Sequence, residues 1–440
     1  MSVAVALFTR DLRVRDNPVL AAAARARGVV PLFVFDDRIL GRTELGGNRI
    51  RFLLAALGEL DTELRAMGGR LVLRRGEVAE EVARVARQVG ADRVHIAADV
   101  SGYSAVRLRR LREQLGHNGI EVTEHAGSVS VVDPAELRPA TGRDHFSIFT
   151  PYFRRWVETP LRAAAPRPSV LTVPEVDGID MPDRAELCAE EGSPQLEVGG
   201  ETTGRKILRA WLSGPVAEYE ARNDDLGADA TSHLGAYLHF GCLSPTELVR
   251  RTDLSTPGGH AFARQLAWRD FNNQLLAARP EVAVRDYRPR PAPWRTDPRA
   301  VKAWRTGRTG YPIIDAAMRQ LVAEGWMPGR ARLVAAGFLS KSLGIDWRIG
   351  AAHFMHWLAD GDVANNQLNW QWAAGTGTDT RPNRMLNPLR QAERYDPEGS
   401  YVHRWLPELA ELPGPAAHKP WRSPLLAPDY PPPIIECKGM

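Results

Sequence analysis

The sequence predicts an α/β protein in which an N-terminal doubly wound parallel-sheet (Rossmann-like) domain precedes an all-α domain. Over the first 125 residues, short apolar runs alternate with amphipathic segments, as strands and helices do in a parallel sheet. From Lys206 onward, apolar residues recur with the helical period of about 3.6 residues, and no alternating strand pattern follows. A proline-rich stretch lies between these two regions.

Five strands and four helices account for the N-terminal pattern. The predicted strands are Val3–Phe8, Val29–Phe35, Leu71–Arg74, Val94–Ala97 and Val122–Glu124. The predicted helices are Pro18–Arg27, Arg49–Met67, Ala79–Gln88 and Ala105–Gln114. Because one helix separates each strand from the next, the strands are expected to run parallel.

Nine prolines between residues 128 and 203 exclude long regular elements, so this stretch is interpreted as a surface connector. After it, Pro312 marks the start of one helix, and further helices are expected over Arg330–Leu343 and Asp346–Leu358. The predicted domains are therefore an α/β domain over 1–127, a Pro-rich connector over 128–203 and a helical domain over 204–440.

Composition narrows the possible classes of protein. With 440 residues and 44% hydrophobic content, the chain can form two or more packed domains. No apolar run approaches the roughly 20 residues needed to cross a membrane, and charged residues appear too early for a signal peptide, so a cytoplasmic location is expected. The cysteines Cys188, Cys242 and Cys437 form no CxxC or Cys/His spacing, which indicates neither a disulfide framework nor a metal site.

Charge is informative where it is concentrated. The net charge is only +4, but the stretch from Arg264 to Arg308 holds eleven Arg/Lys against four Asp/Glu and includes five aromatic residues. Basic residues interleaved with aromatics are typical of nucleic-acid binding, in which cations contact phosphates and rings stack on bases. A solvated Arg-rich surface is an equally good interpretation of the charge alone.

Several familiar catalytic patterns are missing from the sequence. No Gly-rich dinucleotide or Walker loop follows a strand, and no Gly-x-Ser-x-Gly motif occurs. His353 and His356 lie three residues apart on a predicted helix, but with no third ligand at a suitable spacing they are interpreted as ordinary helix residues.

Tryptophans give the strongest signal of function. Eleven of the twelve follow residue 200, and eight fall between Trp268 and Trp372. Each one alone is better explained as core packing. Their concentration beside a basic stretch, and in the segment DGDVANNQLNWQW at 360–372, instead favours stacking, electron transfer or both.

Taken together, these motifs identify a resemblance to the DNA photolyase/cryptochrome family. It extends through TRDLRVRDNPVL, YEARN, TSHLGAYLHFGCLSP, LAWRDF, TGYPIIDAAMRQL, the DGD…NWQW segment, NRMLNPLRQAERYDP and RWLPEL, and so covers nearly the whole chain. The resemblance implies FAD in the helical domain, a second antenna chromophore at the α/β domain, damaged DNA as substrate, and a monomer without a metal.

The resemblance also implies roles for individual residues. Tyr219, Thr231, Ser232, His233, Leu234 and Gly235 would hold the FAD phosphates, while Arg332, Asp360, Gly361 and Asp362 would hold its ring and ribose side, with Asn366 facing flavin N5. Trp370, Trp347 and Trp294 would relay electrons between flavin and surface. The damaged DNA would meet Gln265, Trp268, Arg269, Gly329, Arg330, Trp372, Arg384 and Gln391.

The implied reaction is light-driven splitting of cyclobutane pyrimidine dimers, but three positions depart from the family's pattern. Gln265 replaces a Glu, Gly329 replaces an Asn, and Leu333 replaces a Met. A cryptochrome-like photoreceptor that binds FAD without repair is therefore the alternative. The two histidines of enzymes acting on (6-4) photoproducts are absent at 329 and 333. A deazaflavin antenna is favoured over folate, because no acidic residue matches the folate-binding one.

Overall fold

The strands form a single parallel sheet in the computed structural model, which describes residues 2–436. The strands are β1 (Val3–Leu7), β2 (Gly28–Asp36), β3 (Val72–Gly76), β4 (Arg93–Ala97) and β5 (Glu121–His125). They are arranged in the order β3-β2-β1-β4-β5, and every neighbouring pair is parallel. This is the predicted doubly wound sheet, so the predicted fold class is confirmed.

Nineteen α-helices occur among residues 2–436. In the N-terminal half they are α1 (Pro18–Ala23), α2 (Asp37–Leu40), α3 (Gly47–Arg65), α4 (Val78–Val89), α5 (Gly102–Gly116), α6 (Phe149–Glu158), α7 (Arg184–Leu187), α8 (Glu201–Leu212) and α9 (Tyr219–Arg222). They continue with α10 (Gly235–His239), α11 (Pro245–Arg251), α12 (Pro257–Ala278), α13 (Pro298–Arg305), α14 (Pro312–Glu324), α15 (Gly329–Gly337), α16 (Trp347–Trp357), α17 (Val363–Ala374), α18 (Pro388–Tyr395) and α19 (Ser400–Trp405). A π-helical turn, Phe338–Ser342, follows α15.

The predicted strands and N-terminal helices agree with these bounds to within a few residues. The largest difference is at the first helix, which ends at Ala23 rather than Arg27. Its end is set by the sheet, because the chain must turn back in time to pair Gly28 with Val3. Pro312 begins α14 as predicted, and the helix ends at Gly325, whose left-handed conformation suits glycine.

The described residues separate into two compact units. One contains the residues up to Glu191 together with Glu197–Val216 and Ser232–Pro280; the other contains Gly192–Leu196, Ala217–Thr231 and the residues from Glu281 onward. The predicted domains at 1–127, 128–203 and 204–440 follow motif content rather than packing, and their boundaries remain a prediction.

Each unit has its own apolar core. In the first unit, buried side chains of the sheet such as Val5, Val30 and Val94 pack with Val82 of α4 and Leu111 of α5. The core of the second unit is built from helices, and three of its buried side chains are tryptophans. Its members include Trp304, Ile314, Met318, Leu321, Phe338, Trp347 and Trp370. The predicted helical character of the C-terminal half is thus present.

Within the first unit, Asp270 of α12 forms hydrogen bonds to residues of the Pro-rich segment at 128–203. Its side chain is 1% exposed, and one carboxylate oxygen accepts hydrogen bonds from the backbone N–H groups of Val131 and Val132 and from the indole of Trp156, at 2.9 to 3.0 Å. The expected anchoring of Trp156 therefore depends on a buried carboxylate. The other oxygen has no hydrogen-bond partner among the described residues.

None of the helices in residues 2–436 is both long and apolar enough to cross a membrane. In the same residues, no three His, Cys, Asp or Glu side chains are grouped so that they could hold a metal ion. Cys188 and Cys242 are free thiols, and Cys437 lies outside the described residues.

Asp270 predicts a specific dependence of stability on pH. Burial raises its pKa to about 6, against an ordinary value near 3.9. A raised carboxyl pKa means that the folded chain holds the proton more tightly than the unfolded chain does. Protonated Asp270 therefore adds to the free energy of unfolding. This added stability is fully present below about pH 4 and is lost as the pH rises through about 6.

The measurement is urea unfolding of the wild type and of Asp270→Asn between pH 4 and pH 7. Because the Asn does not titrate, the wild type's free energy of unfolding relative to the variant should fall by roughly 3 kcal/mol over this range. If the difference in free energy of unfolding between wild type and Asp270→Asn stays constant with pH, the raised pKa of Asp270 is contradicted.

Candidate functional site

Helix α17 explains why two tryptophans lie so close together in the sequence. On an α-helix, residues two apart point to nearly opposite sides. Accordingly, Trp370 is buried in the core with 2% exposure, whereas Trp372 is half-buried. The helix begins at Asp362, whose side chain is the N-cap and accepts hydrogen bonds from the backbone and side-chain nitrogens of Asn365 at 2.9 and 2.8 Å.

Arg332 of α15 and Asp360 form a two-point ion pair just before α17. The guanidinium donates to both carboxylate oxygens of Asp360, at 3.0 and 2.9 Å, and its Nε donates to the carbonyl of Met327 at 2.8 Å. The planar fork of Arg fits a carboxylate in this way and fixes its orientation. A Cβ at the intervening Gly361 would lie 3.1 Å from the carbonyl oxygen of Leu358, so the turn suits a glycine.

Asn366 lies one turn into α17, and its amide is oriented by α16. Its Nδ2 donates to the carbonyl of Ala351 at 3.0 Å. Because the amide nitrogen is held there, the side-chain oxygen is the group that points away from α16. Such an oxygen can accept a hydrogen bond from a bound molecule.

The loop from Thr231 to Gly235 contains one residue with a left-handed backbone and one buried hydroxyl that has no partner among the described residues. In the second unit, the hydroxyl oxygen of Thr231 is buried with no partner among residues 2–436, and burial raises the pKa of Tyr219 to about 12. In the first unit, His233 is left-handed with φ 52°, and the Ser232 hydroxyl accepts a long hydrogen bond, 3.5 Å, from the N–H of Leu234. Left-handed backbone at a non-glycine residue often marks a binding site.

The three tryptophans of the predicted relay all lie in the second unit, in different surroundings. Trp347 is completely buried, and its indole N–H donates to Asp286 at 2.8 Å. Trp294 is half-buried, with the guanidinium of Arg290 4.2 Å from its ring centre. Trp370 packs edge to face on Phe354, at 4.9 Å between ring centres.

Trp304, to which sequence reasoning gave no role, is a direct neighbour of Trp370. The two ring centres are 5.9 Å apart. Trp304 is fully buried and donates to the carbonyl of Ala335 at 3.1 Å. His353 packs against the same ring, and burial lowers its pKa to about 3, so this histidine is neutral at neutral pH.

Helix α12 of the first unit carries three of the predicted DNA contacts. Gln265 is exposed, and Trp268 is half-buried with one face against Phe149 of α6, at 3.8 Å between centres and 4° between planes. The guanidinium of Arg264 lies 4.8 Å from the centre of the Phe149 ring. Arg269 donates to the backbone carbonyls of Leu238, at 3.2 Å, and Val129.

The remaining predicted DNA contacts belong to the second unit. Gly329 begins α15, and a Cβ there would meet nothing within 4 Å. Arg330 forms an ion pair with Asp224 at 2.5 Å and lies 4.3 Å from the ring centre of Tyr395. Its positive charge is therefore partly neutralised within the protein. Arg384 is exposed, whereas the buried side-chain oxygen of Gln391 has no partner in the described part of the chain.

A second candidate site lies at the carboxyl end of the sheet, where doubly wound sheets bind ligands. Tyr103 donates a short hydrogen bond to Asp36, and the guanidinium of Arg107 lies 5.5 Å from its ring centre. Close by in sequence, Asp99 pairs with Arg10 at 3.3 Å.

A cavity of about 450 Å³ also opens past the ends of β4 and β5. Its lining includes Asp99, Ser101, Gly127, Ser130 and Gln274.

Two family models match this chain. One, described as the FAD binding domain of DNA photolyase, matches residues 262–440, and the other, described as DNA photolyase, matches residues 4–170. The sequence is 54% identical to the deoxyribodipyrimidine photo-lyase of Streptomyces griseus over 442 residues, which covers 99% of this chain and 97% of that protein.

Solved structures resemble the fold over almost its full length. A class III photolyase from Agrobacterium tumefaciens superposes with a TM-score of 0.91 at 31% identity, covering 99% of this chain and 95% of that one. A Synechocystis cryptochrome gives 0.91 at 30% identity, with coverage of 99% and 96%. A Sulfolobus tokodaii photolyase, which contains two FAD molecules and implies a novel light-harvesting cofactor, gives 0.84 at 30% identity, with coverage of 99% and 96%.

The contact between α16 and α17 predicts that Gly350→Ala is destabilising. A methyl group at Gly350 would overlap the ring of Trp370 and approach Leu339 to 2.6 Å. The backbone or the indole must shift, at a cost of about 1–3 kcal/mol. Gly329→Ala is the matched control, since it adds the same methyl group to a helix where nothing lies within 4 Å. Thermal unfolding measures both, and equal melting temperatures would contradict the prediction.

Proposed function

The chain belongs to the DNA photolyase/cryptochrome family, and on that premise we propose that it is a blue-light-driven deoxyribodipyrimidine photo-lyase that repairs cyclobutane pyrimidine dimers in DNA. The observation that carries this conclusion is helix α17. One face of it directs Trp370 into the core and carries Asn366 one turn earlier, and the other leaves Trp372 half-buried. A single helix thus serves cofactor and substrate.

The residues present fit FAD. The unsatisfied hydroxyl of Thr231 suits the phosphates, the oriented oxygen of Asn366 suits an N–H donor such as N5 of reduced flavin, and Arg332 with Asp360 provides a rigid polar wall. When bound, reduced FAD supplies under blue light the electron that splits the cyclobutane ring, and it takes that electron back afterwards. The protein orients the cofactor and excludes water.

Each unit carries residues suited to binding DNA. Trp268 and Trp372 are half-buried indoles, each with a face on which an extruded base can stack. Gln265 can pair with the imide edge of a thymine, because its amide both donates and accepts. Arg269, Arg330, Arg384 and Gln391 complete the proposed contacts. Arg384, which is exposed, can contact the phosphate backbone without reading the sequence of bases.

A cryptochrome-like photoreceptor is the second candidate, and Gln265, Gly329 and Leu333 are the observations that favour it. Gln265 lacks an acidic proton, and Gly329 offers no side-chain amide to a dimer carbonyl. Such a carbonyl costs about 1–3 kcal/mol if it stays unpaired. Because the space beside Gly329 is open, water or a neighbouring group can take that position. The identity to the Streptomyces griseus enzyme favours repair over this alternative.

The proposal includes a deazaflavin antenna, a cytoplasmic location and a monomeric enzyme. The aromatic face of Tyr103, with Arg107 beside it and Asp36 on its hydroxyl, supports a flat polar chromophore at the carboxyl end of the sheet. Folate is the less favoured antenna.

Repair is tested by illuminating the reduced holoenzyme with oligonucleotides that carry either a cyclobutane dimer or a (6-4) photoproduct. We expect blue light to restore normal bases from the cyclobutane dimer, and no restoration in the dark. Restoration of neither lesion, with FAD fully reduced, would overturn the repair proposal and favour the photoreceptor.

The same assay locates the effect of the altered residues. We expect the double variant Gln265→Glu, Gly329→Asn to repair more dimers per absorbed photon than the wild type, since exposed Gln265 and the open space at Gly329 accept both side chains. Gln114→Glu, an exposed change of the same charge on α5, is the control and should have no effect.

Phe149 supports the stacking face of Trp268, so its removal should weaken binding of the lesion. Base–aromatic stacking contributes about 1–3 kcal/mol per base, and loss of the supporting ring should cost Phe149→Ala about tenfold in Kd for dimer-containing DNA. Phe149→Tyr keeps the ring and is the control. Fluorescence anisotropy with damaged and undamaged duplexes measures the effect; equal weakening for both duplexes would show that Phe149 does not act through the lesion.

A further inference from the structure

Trp347 has the most strongly polar surroundings of the three relay tryptophans. Its indole Nε1 donates to Oδ1 of Asp286 at 2.8 Å, and the guanidinium of Arg348 donates to the same oxygen at 2.9 Å. Arg348 also donates to both oxygens of Asp346, at 3.1 and 3.2 Å. Two carboxylates therefore share one guanidinium beside a completely buried indole.

The carboxylate of Asp286 cannot readily move away from this position. Gln371 of α17, which has no exposed surface, accepts from the N–H of Tyr287 at 2.8 Å and donates to the carbonyls of Val282 and Arg285 at 2.7 and 3.0 Å. Arg348 donates through Nε to the carbonyl of Val284 at 2.7 Å. The backbone around Asp286 is thus hydrogen-bonded to α16, which carries Trp347, and to α17, which carries Trp370.

The innermost tryptophan has no comparable group. The indole N–H of Trp370 is buried and has no acceptor among residues 2–436. In a low-dielectric interior, a positive charge on an indole is stabilised by a nearby carboxylate, and a hydrogen bond to that carboxylate strengthens when the donor becomes charged. The hydrogen bond to Asp286 therefore stabilises a positive charge on Trp347 and has no counterpart at Trp370, while the guanidinium of Arg348, 4.8 Å from the centre of the Trp347 ring, offsets part of this effect.

We infer that Asp286 is a positioning residue of the electron relay and makes the transfer of positive charge from Trp370 to Trp347 favourable. The inference rests on the proposed function, in which bound oxidised flavin would act under light as the oxidant that takes one electron from Trp370. Trp347 would then donate one electron to Trp370 and be left one electron short. Its proton stays in the Nε1–H···Oδ1 hydrogen bond to Asp286. An external thiol restores Trp347 by supplying one electron through Trp294.

The test is transient absorption of the oxidised holoenzyme after a laser flash, comparing Asp286→Asn with Asp346→Asn. Each variant removes one negative charge beside Arg348, but only the first removes the carboxylate from the indole N–H. Asp286→Asn should lower the yield of long-lived tryptophan radical about tenfold, the effect of weakening a hydrogen bond to a charged group. Asp346→Asn should lower it less than about threefold, and Asp286→Glu, which keeps a carboxylate, should recover part of the loss.

An equal loss in Asp286→Asn and Asp346→Asn, or no loss in Asp286→Asn, would overturn the inference. Flavin absorbance and circular dichroism check that each variant is folded and loaded. A separate readout is the ¹⁵N-indole resonance of Trp347, assigned with Trp347→Phe: it should move in Asp286→Asn and stay in place in Asp346→Asn. If the wild type forms no tryptophan radical, the proposed relay itself fails; if it forms one and Asp286→Asn matches it, only the role of Asp286 fails.

Discussion

The position of α17 depends on Gln371, a fully buried amide between the two tryptophans of that helix. All three of its hydrogen bonds go to backbone groups between Val282 and Tyr287, so helix and segment are fixed against each other. An unpaired buried amide would be costly, and this requirement specifies one arrangement of the two. The inward direction of Trp370, the outward direction of Trp372 and the position of Asp286 all follow from it.

Some arginines in the basic stretch from Arg264 to Arg308 have partners within their own unit. Arg264 lies over the ring of Phe149 and Arg269 donates to backbone carbonyls, and both side chains are half-buried. Arg288, which donates to the carbonyl of Asp379, and Arg290, which lies over Trp294, are exposed although each has a partner. Attraction of DNA depends on the exposed guanidiniums, which include Arg384 and most arginines of this stretch.

Local pattern in the sequence was sufficient for the sheet and the start of α14, because these depend on spacing along one element. It could not locate contacts between distant parts of the chain. Phe149 and Trp268 stack although 119 residues separate them, and Asp286 meets Trp347 across 61. Neither partner carries a distinguishing motif, and only packing brings them together. The roles of the site residues came from family resemblance and await experiment.

The absence of a side chain at Gly350 lets α16 lie directly against the ring of Trp370, which is consequently wedged between two helices. A group that cannot rotate, in surroundings with few mobile dipoles, changes its charge with little rearrangement of its neighbours. The reorganisation energy of electron exchange at this indole should therefore be small. Half-buried Trp294 is in contact with solvent, whose dipoles must reorient around a new charge. A positive charge therefore leaves the rigid inner indole with little rearrangement of its neighbours and is stabilised by water when it reaches the outer end of the relay.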